Sequence, residues 1–122
     1  MSRRLHDAAI RDERATIGAL LRQGTPVDEL DAYGWSALLY AADNGHPDVV
    51  RLLLDYGASP NLRNPWGQTA LMKAAGKGAA EVARELLAHG ADASLMDDEG
   101  LRALDWARLS GCEEVIALLE QR

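Results

Sequence analysis

The chain repeats itself. Residues Asp31 to Arg63 align column by column with Asn64 to Met96, at an offset of 33 residues. Gly34 falls over Gly67, Leu38 over Leu71, and Ala41-Ala42 over Ala74-Ala75. Gly45 falls over Gly78, Val49 over Val82, Leu53-Leu54 over Leu86-Leu87, and Gly57-Ala58 over Gly90-Ala91. The columns continue forward through Gly100, Leu104, Ala107, Gly111, Val115 and Leu119, and backward through Leu5, Ala8-Ala9, Leu20-Leu21 and Gly24. A fixed period of this length marks units too small to bury an apolar face alone, so they must stack on one another. The units fall at about residues 3–30, 31–63, 64–96 and 97–122, within a single domain.

Within each unit the apolar spacing is helical. Leu38, Ala41 and Ala42 line one face of a short inner helix, and Val49, Leu52 and Leu53 line one face of an outer helix. Ser36 and Thr69 precede inner helices as capping residues, and Pro47 suits the first turn of an outer helix. Gly45 and Gly57 stop the two helices of their unit. Stretches such as Thr25 to Trp35 have few apolar residues and read as turns. The end units differ. Thr16 replaces the valine column, Arg108 the second alanine and Glu120 the leucine of Leu54 and Leu87. Polar residues in these columns mark terminal units with one face in water.

At this point the chain resembles the ankyrin-repeat family. Its helix-opening pattern, T-P-L-H-x-A-A, is matched by Ser36-Ala37-Leu38-Leu39-Tyr40-Ala41-Ala42 and by Thr69-Ala70-Leu71-Met72-Lys73-Ala74-Ala75. Its later pattern, G-H-x-x-V-V-x-L-L-L-x-x-G-A, is matched by Gly45 through Ala58. The usual proline is Ala37, Ala70 and Ala103, and the usual histidine survives as His6 alone, which leaves open how the helix entries are bonded. The resemblance implies an all-α solenoid of four helix-turn-helix units joined by projecting hairpin-like loops. It also implies a concave face that binds protein partners. With helices about 8–10 Å apart, four units make a slab roughly 40 Å long.

Composition narrows the function. A formal charge of −6 disfavours a nucleic-acid surface and an anionic membrane. No run approaches the ~18 apolar residues of a membrane span. A single cysteine, Cys112, forms no internal disulfide, and the N-terminus lacks a signal-peptide core. A cytoplasmic protein, monomeric in isolation, is expected by default. No catalytic, metal or cofactor site is expected either. The three histidines and Cys112 each sit in a repeat-defined column without ligand spacing, and the glycines are helix stops rather than a phosphate loop. Asp97-Asp98-Glu99 reads as a solvated loop tip rather than a cation site.

The aromatic residues carry the functional signal. All three tryptophans and two of three tyrosines fall in columns that, by the resemblance, face the concave side. The candidate partner-binding residues are Tyr33, Trp35, Tyr40, Asp43, Trp66, Gln68, Lys73, Lys77, Trp106 and Leu109. Tryptophan and tyrosine are enriched at binding hot spots. Tyr40, Trp66 and Trp106 are expected to form a stripe across the slab, with Trp66 near its centre. The competing reading is that Trp35, Trp66 and Trp106 brace adjacent loops. Lys73 and Lys77 lie one helical turn apart with Asp43 and Asp105 flanking. That predicts a partner with an acidic group at mid-groove and basic groups toward the sides. The expected function is a non-enzymatic adaptor, inhibitor or regulator. The alternatives are a small-ligand or catalytic site in the groove, and a structural or engineered stacking scaffold.

Overall fold

A computed structural model describes residues 4–121; Arg3 and Arg122, at the outer bounds of the first and last units, lie outside the described residues. The described chain forms eight helices and no strand. The first helix of each pair is inner: α1 (Arg4–Ile10), α3 (Ala37–Asp43), α5 (Ala70–Lys77) and α7 (Ala103–Ser110). The second is outer: α2 (Arg14–Arg22), α4 (Pro47–Asp55), α6 (Ala80–Ala88) and α8 (Glu113–Glu120). Inner helices pack on inner helices and outer on outer, in chain order, while each pair packs internally.

The helices exist because each contributes small or branched apolar residues to one continuous core. In α3 and α5 the buried residues include Ala41, Ala42, Ala74 and Ala75, all fully shielded. Side chains this small let successive inner helices approach closely. Leu53, Leu86, Val49, Val82 and Val115 fill the layer behind them. The outer-helix stripe differs in one place from the sequence reading. Val50 and Leu54 are buried in α4, whereas Leu52 is only partly so. The outer helix faces both its own inner helix and the next outer one, so its apolar arc is wider than a three-residue stripe.

The helix entries use different chemistry for the same bond. The Ser36 hydroxyl accepts from the Leu39 N–H, and the Thr69 hydroxyl from the Met72 N–H. In return the Thr69 N–H reaches the Met72 sulfur at 3.5 Å, and the Arg102 N–H reaches the Asp105 carboxylate at 2.9 Å. Sulfur and carboxylate thus take an N-cap N–H from the column whose usual histidine is absent. His6, in that column, is itself buried, and its Nε2 donates to the Glu29 carbonyl at 2.7 Å.

The loops between units are built on one residue each. The carboxylate or amide oxygen of Asp31, Asn64 and Asp97 accepts two backbone N–H groups, from the residues two and four positions on. The same residue's N–H closes the loop onto the carbonyl of Trp35, Gln68 or Leu101. Adjacent loops also touch. The Asp98 N–H donates to the Trp66 carbonyl, and a Cβ on Gly67 would lie 2.7 Å from Asp98 Oδ1. With φ of +78° as well, Gly67 has no substitute.

Side chains then clasp one unit to the next. The Asp28 carboxylate accepts the Ser59 N–H, and 33 residues on the Asn61 side chain accepts the Asp92 N–H. His46 Nε2 donates to the Ile10 carbonyl at 2.8 Å, and Cys112, in the same column, points its sulfur at the Gly78 carbonyl at 3.7 Å. Across the outer helices Arg14 pairs with Asp48 and Arg51 with Glu85, while Arg51 also meets Asp48 within α4. At the last unit Arg108 meets Glu120 at 3.2 Å, so the two polar substitutions satisfy each other on the outer face.

Candidate partner-binding face

The inner helices and loop tips present the ten candidate residues in three groups. The first is a half-buried cluster in the second unit. The Trp35 and Tyr40 rings stack with centroids 5.0 Å apart, His6 meets Tyr40 edge-on at 6.0 Å, and Lys73 Nζ lies 5.2 Å from the Trp35 ring centroid. The Tyr40 hydroxyl donates to Asp31 Oδ2. Trp106 repeats that link two units later, its Nε1 donating to Asp97 Oδ2 at 3.1 Å. In both cases the aromatic nine residues on ties its polar tip to the loop-building carboxylate. Part of the aromatic signal is therefore bracing, for Tyr40 and Trp106 as for Trp35.

Asp31 titrates accordingly. Burial pulls its carboxyl upward, but the Tyr40 hydroxyl, the Trp35 and Tyr33 N–H groups and nearby His6 outweigh burial and hold it below the usual aspartate range.

The second group is the loop tips. Tyr33 and Trp66 occupy one column in successive units and are 64% and 59% exposed. Both side chains stand mostly in solvent. Leu109, 71% exposed, lies on the free side of α7.

The third group is charged. Lys73 and Lys77 from α5 both reach Asp43 on α3, with Nζ 3.6 and 3.7 Å from Oδ1. Lys73 also donates to Gln68 Oε1, which accepts from Asn64 Nδ2 as well. Asp43 and Asp105 are thus engaged internally, the latter by the Arg102 N–H. They do not stand as free acids flanking the lysines. Beside the lysines, between α5 and α7, lies an open cavity of about 110 Å³ lined by Gln68, Met72, Lys73, Gly76, Lys77 and Trp106. A larger hollow, about 480 Å³, lies at the last unit against Leu104, Leu119 and Arg108. Among the described residues no group of three or more His, Cys, Asp or Glu is placed to hold a metal ion, and no helix is long and apolar enough to cross a membrane.

The sequence reading missed the nine-residue links of Asp31 to Tyr40 and Asp97 to Trp106. The signal was present: aligned at the repeat offset, Asp31 and Asp97 share a column, and so do Tyr40 and Trp106.

Two layers of paired helices joined by regularly repeated loops define an α-helical solenoid. A family model described as ankyrin repeats (3 copies) matches residues 4–64 and 56–122, and the chain belongs to that family. Individual relatives match over shorter stretches. Protein phosphatase 1 regulatory subunit 27 of Homo sapiens is 37% identical over 60 residues, which is 49% of this chain and 39% of that protein. The NAD-capped RNA hydrolase NUDT12 of Homo sapiens is 39% identical over 57 residues, 47% of this chain and 12% of that protein. Ankyrin repeat, SAM and basic leucine zipper domain-containing protein 1 of Carollia perspicillata is 48% identical over 42 residues, 34% of this chain and 9% of that protein. The chain therefore spans well under half the length of these relatives. Ankyrin repeats are generally protein–protein interaction modules and typically non-catalytic.

Proposed function

We propose that this chain is a non-enzymatic protein-binding module, an adaptor, inhibitor or regulator that holds a protein partner against its inner helices and loop tips. The observation that carries the reading is the pair Tyr33 and Trp66. Two large aromatic side chains stand exposed at successive loop tips, where no packing requirement places them. Such residues dominate binding energy when a partner buries them. The relative that is a phosphatase regulatory subunit supports a regulatory role. The groove cavity, at about 110 Å³, is small beside the ~300–1,000 Å³ of small-molecule sites, which argues against a free ligand in the groove. The hydrolase shares only 12% of its length with this chain, too little to carry an activity across. A charge of −6 favours a protein partner over nucleic acid.

The test compares two alanine variants against a partner isolated from native lysate. Trp66→Ala should weaken binding by ~2 kcal/mol or more, as hot-spot truncation does, and leave the unfolding midpoint almost unchanged. Val50→Ala, fully buried on α4, should lower the midpoint first and leave binding by the folded protein intact. A Trp66→Ala protein that binds as wild type yet unfolds easily would make Trp66 a brace and refute the reading.

A further inference from the structure

Gly76 lies in the last turn of α5, where glycine is less favourable than alanine. Nothing in the fold demands it. Its φ is not in the left-handed region, and a Cβ there would meet only Trp106 Cε3, at an ordinary 3.5 Å. The same column holds Asp43 in α3 and Leu109 in α7, so a side chain is compatible with the position. What the glycine does is leave open the cavity between α5 and α7.

We propose that this cavity is a socket for one acidic side chain, a glutamate or aspartate, on a segment of the partner. The inference rests on the protein-binding reading above and assigns the chemistry of its central contact. The socket has an apolar wall, Met72 and Trp106, and a cationic rim, Lys73 and Lys77. Asp43 lies across the lysines on α3 and does not line the cavity, so an entering group meets the ammonium groups first. Two ammonium groups share that one carboxylate, and the Asp97 carboxylate behind Trp106 is already taken by the indole N–H and two backbone N–H groups. Lys73 is fixed by Gln68, Asp43 and the Trp35 ring and is 22% exposed; Lys77 is 58% exposed and turns toward an incoming carboxylate at little cost. Size agrees. A cavity of about 150 Å³ holds a benzene-sized group, so one of about 110 Å³ has room for an aliphatic stem ending in a carboxylate. A charge-assisted bond to a partly shielded ammonium group then supplies specificity.

The test is selection from a phage-displayed library of random linear peptides on the folded wild-type protein. The strongest binder is then synthesised. Selected peptides should share an acidic residue at one fixed place, and changing it to the corresponding amide should weaken binding by about tenfold or more. Gly76→Ala should weaken the same peptide about tenfold while the thermal midpoint holds or rises by up to about 5 °C. Lys77→Glu should shift the selected charge from acidic to basic. Peptides with no shared acidic place, or a Gly76→Ala protein that binds as wild type, overturn the socket. So does a lowered midpoint in Gly76→Ala, which would assign the glycine to helix packing. In those cases peptides that still depend on Trp66 leave the broader reading standing. A library that yields no binder overturns both.

Discussion

At the level of single residues, two departures from the repeat have measurable consequences. Among the described residues Asp12 is the non-glycine residue with a left-handed backbone, φ +60°, in a column otherwise held by Gly45, Gly78 and Gly111. An L-residue there costs roughly 1–2 kcal/mol, less for Asp than for most. Its ion pair with Arg14 is long, 4.0 Å, and exposed. Asp12→Gly should therefore stabilise the protein by about 0.5–1 kcal/mol in urea unfolding. Asp31 gives a pH dependence. Its folded-state carboxyl sits below the ordinary value of 3.8, so the stability it contributes is present above about pH 4. It is lost as pH falls through the folded value. Asp31→Asn keeps an acceptor for the loop, as Asn64 does in the next unit. In urea midpoints followed from neutral to acid pH, the variant should show a shallower acid decline than wild type. An identical decline would mean that other carboxylates govern acid unfolding.

Single helices owe their stability to their neighbours. Leu53 in α4 and Leu86 in α6 are fully buried in the same column, and each truncation to alanine should cost ~2–5 kcal/mol. Glu120→Ala in α8 removes an exposed pair with Arg108 and should cost less than ~0.5 kcal/mol. Chemical denaturation ranking Glu120 with the leucines would contradict the terminal-unit reading. These contrasts were legible before any coordinates, because burial repeats with the period and a polar residue in an apolar column stands out. The caps at Ser36 and Thr69 were legible for the same reason: capping is local. What the period could not show were contacts between different columns of different units. Lys77 and Asp43 are 34 residues apart and in different columns, so they appeared as a free cation and a free acid rather than as a pair. Trp106 lines the groove cavity and braces its loop as well, and nothing in a hydrophobic pattern reveals that its indole N–H points at Asp97.

Across the whole molecule, the clasps between units are unequal. In the His46 column the first junction has the imidazole nitrogen on the Ile10 carbonyl at 2.8 Å, the second has Ala79 and no side-chain bond, and the last has the Cys112 thiol on the Gly78 carbonyl at 3.7 Å, with the Ser110 hydroxyl on the Ala75 carbonyl at 2.9 Å beside it. The last unit also contributes least to the core: α7 buries Ala103 and Ala107, and α8 buries Val115 and Leu119, whereas α5 alone buries five residues. In a stack held by nearest-neighbour contacts, a terminal unit that buries the fewest residues opens first. Amide hydrogen exchange should show α7 and α8 opening as a unit before α3 through α6, and equal protection throughout would contradict this order. The position of Trp106 then acquires a second meaning. Its indole belongs to the unit that opens first, yet it lines the groove of the unit before. A ligand seated there would hold the door shut. Occupancy would be readable as slowed exchange in α8, a helix that lines no part of the groove cavity.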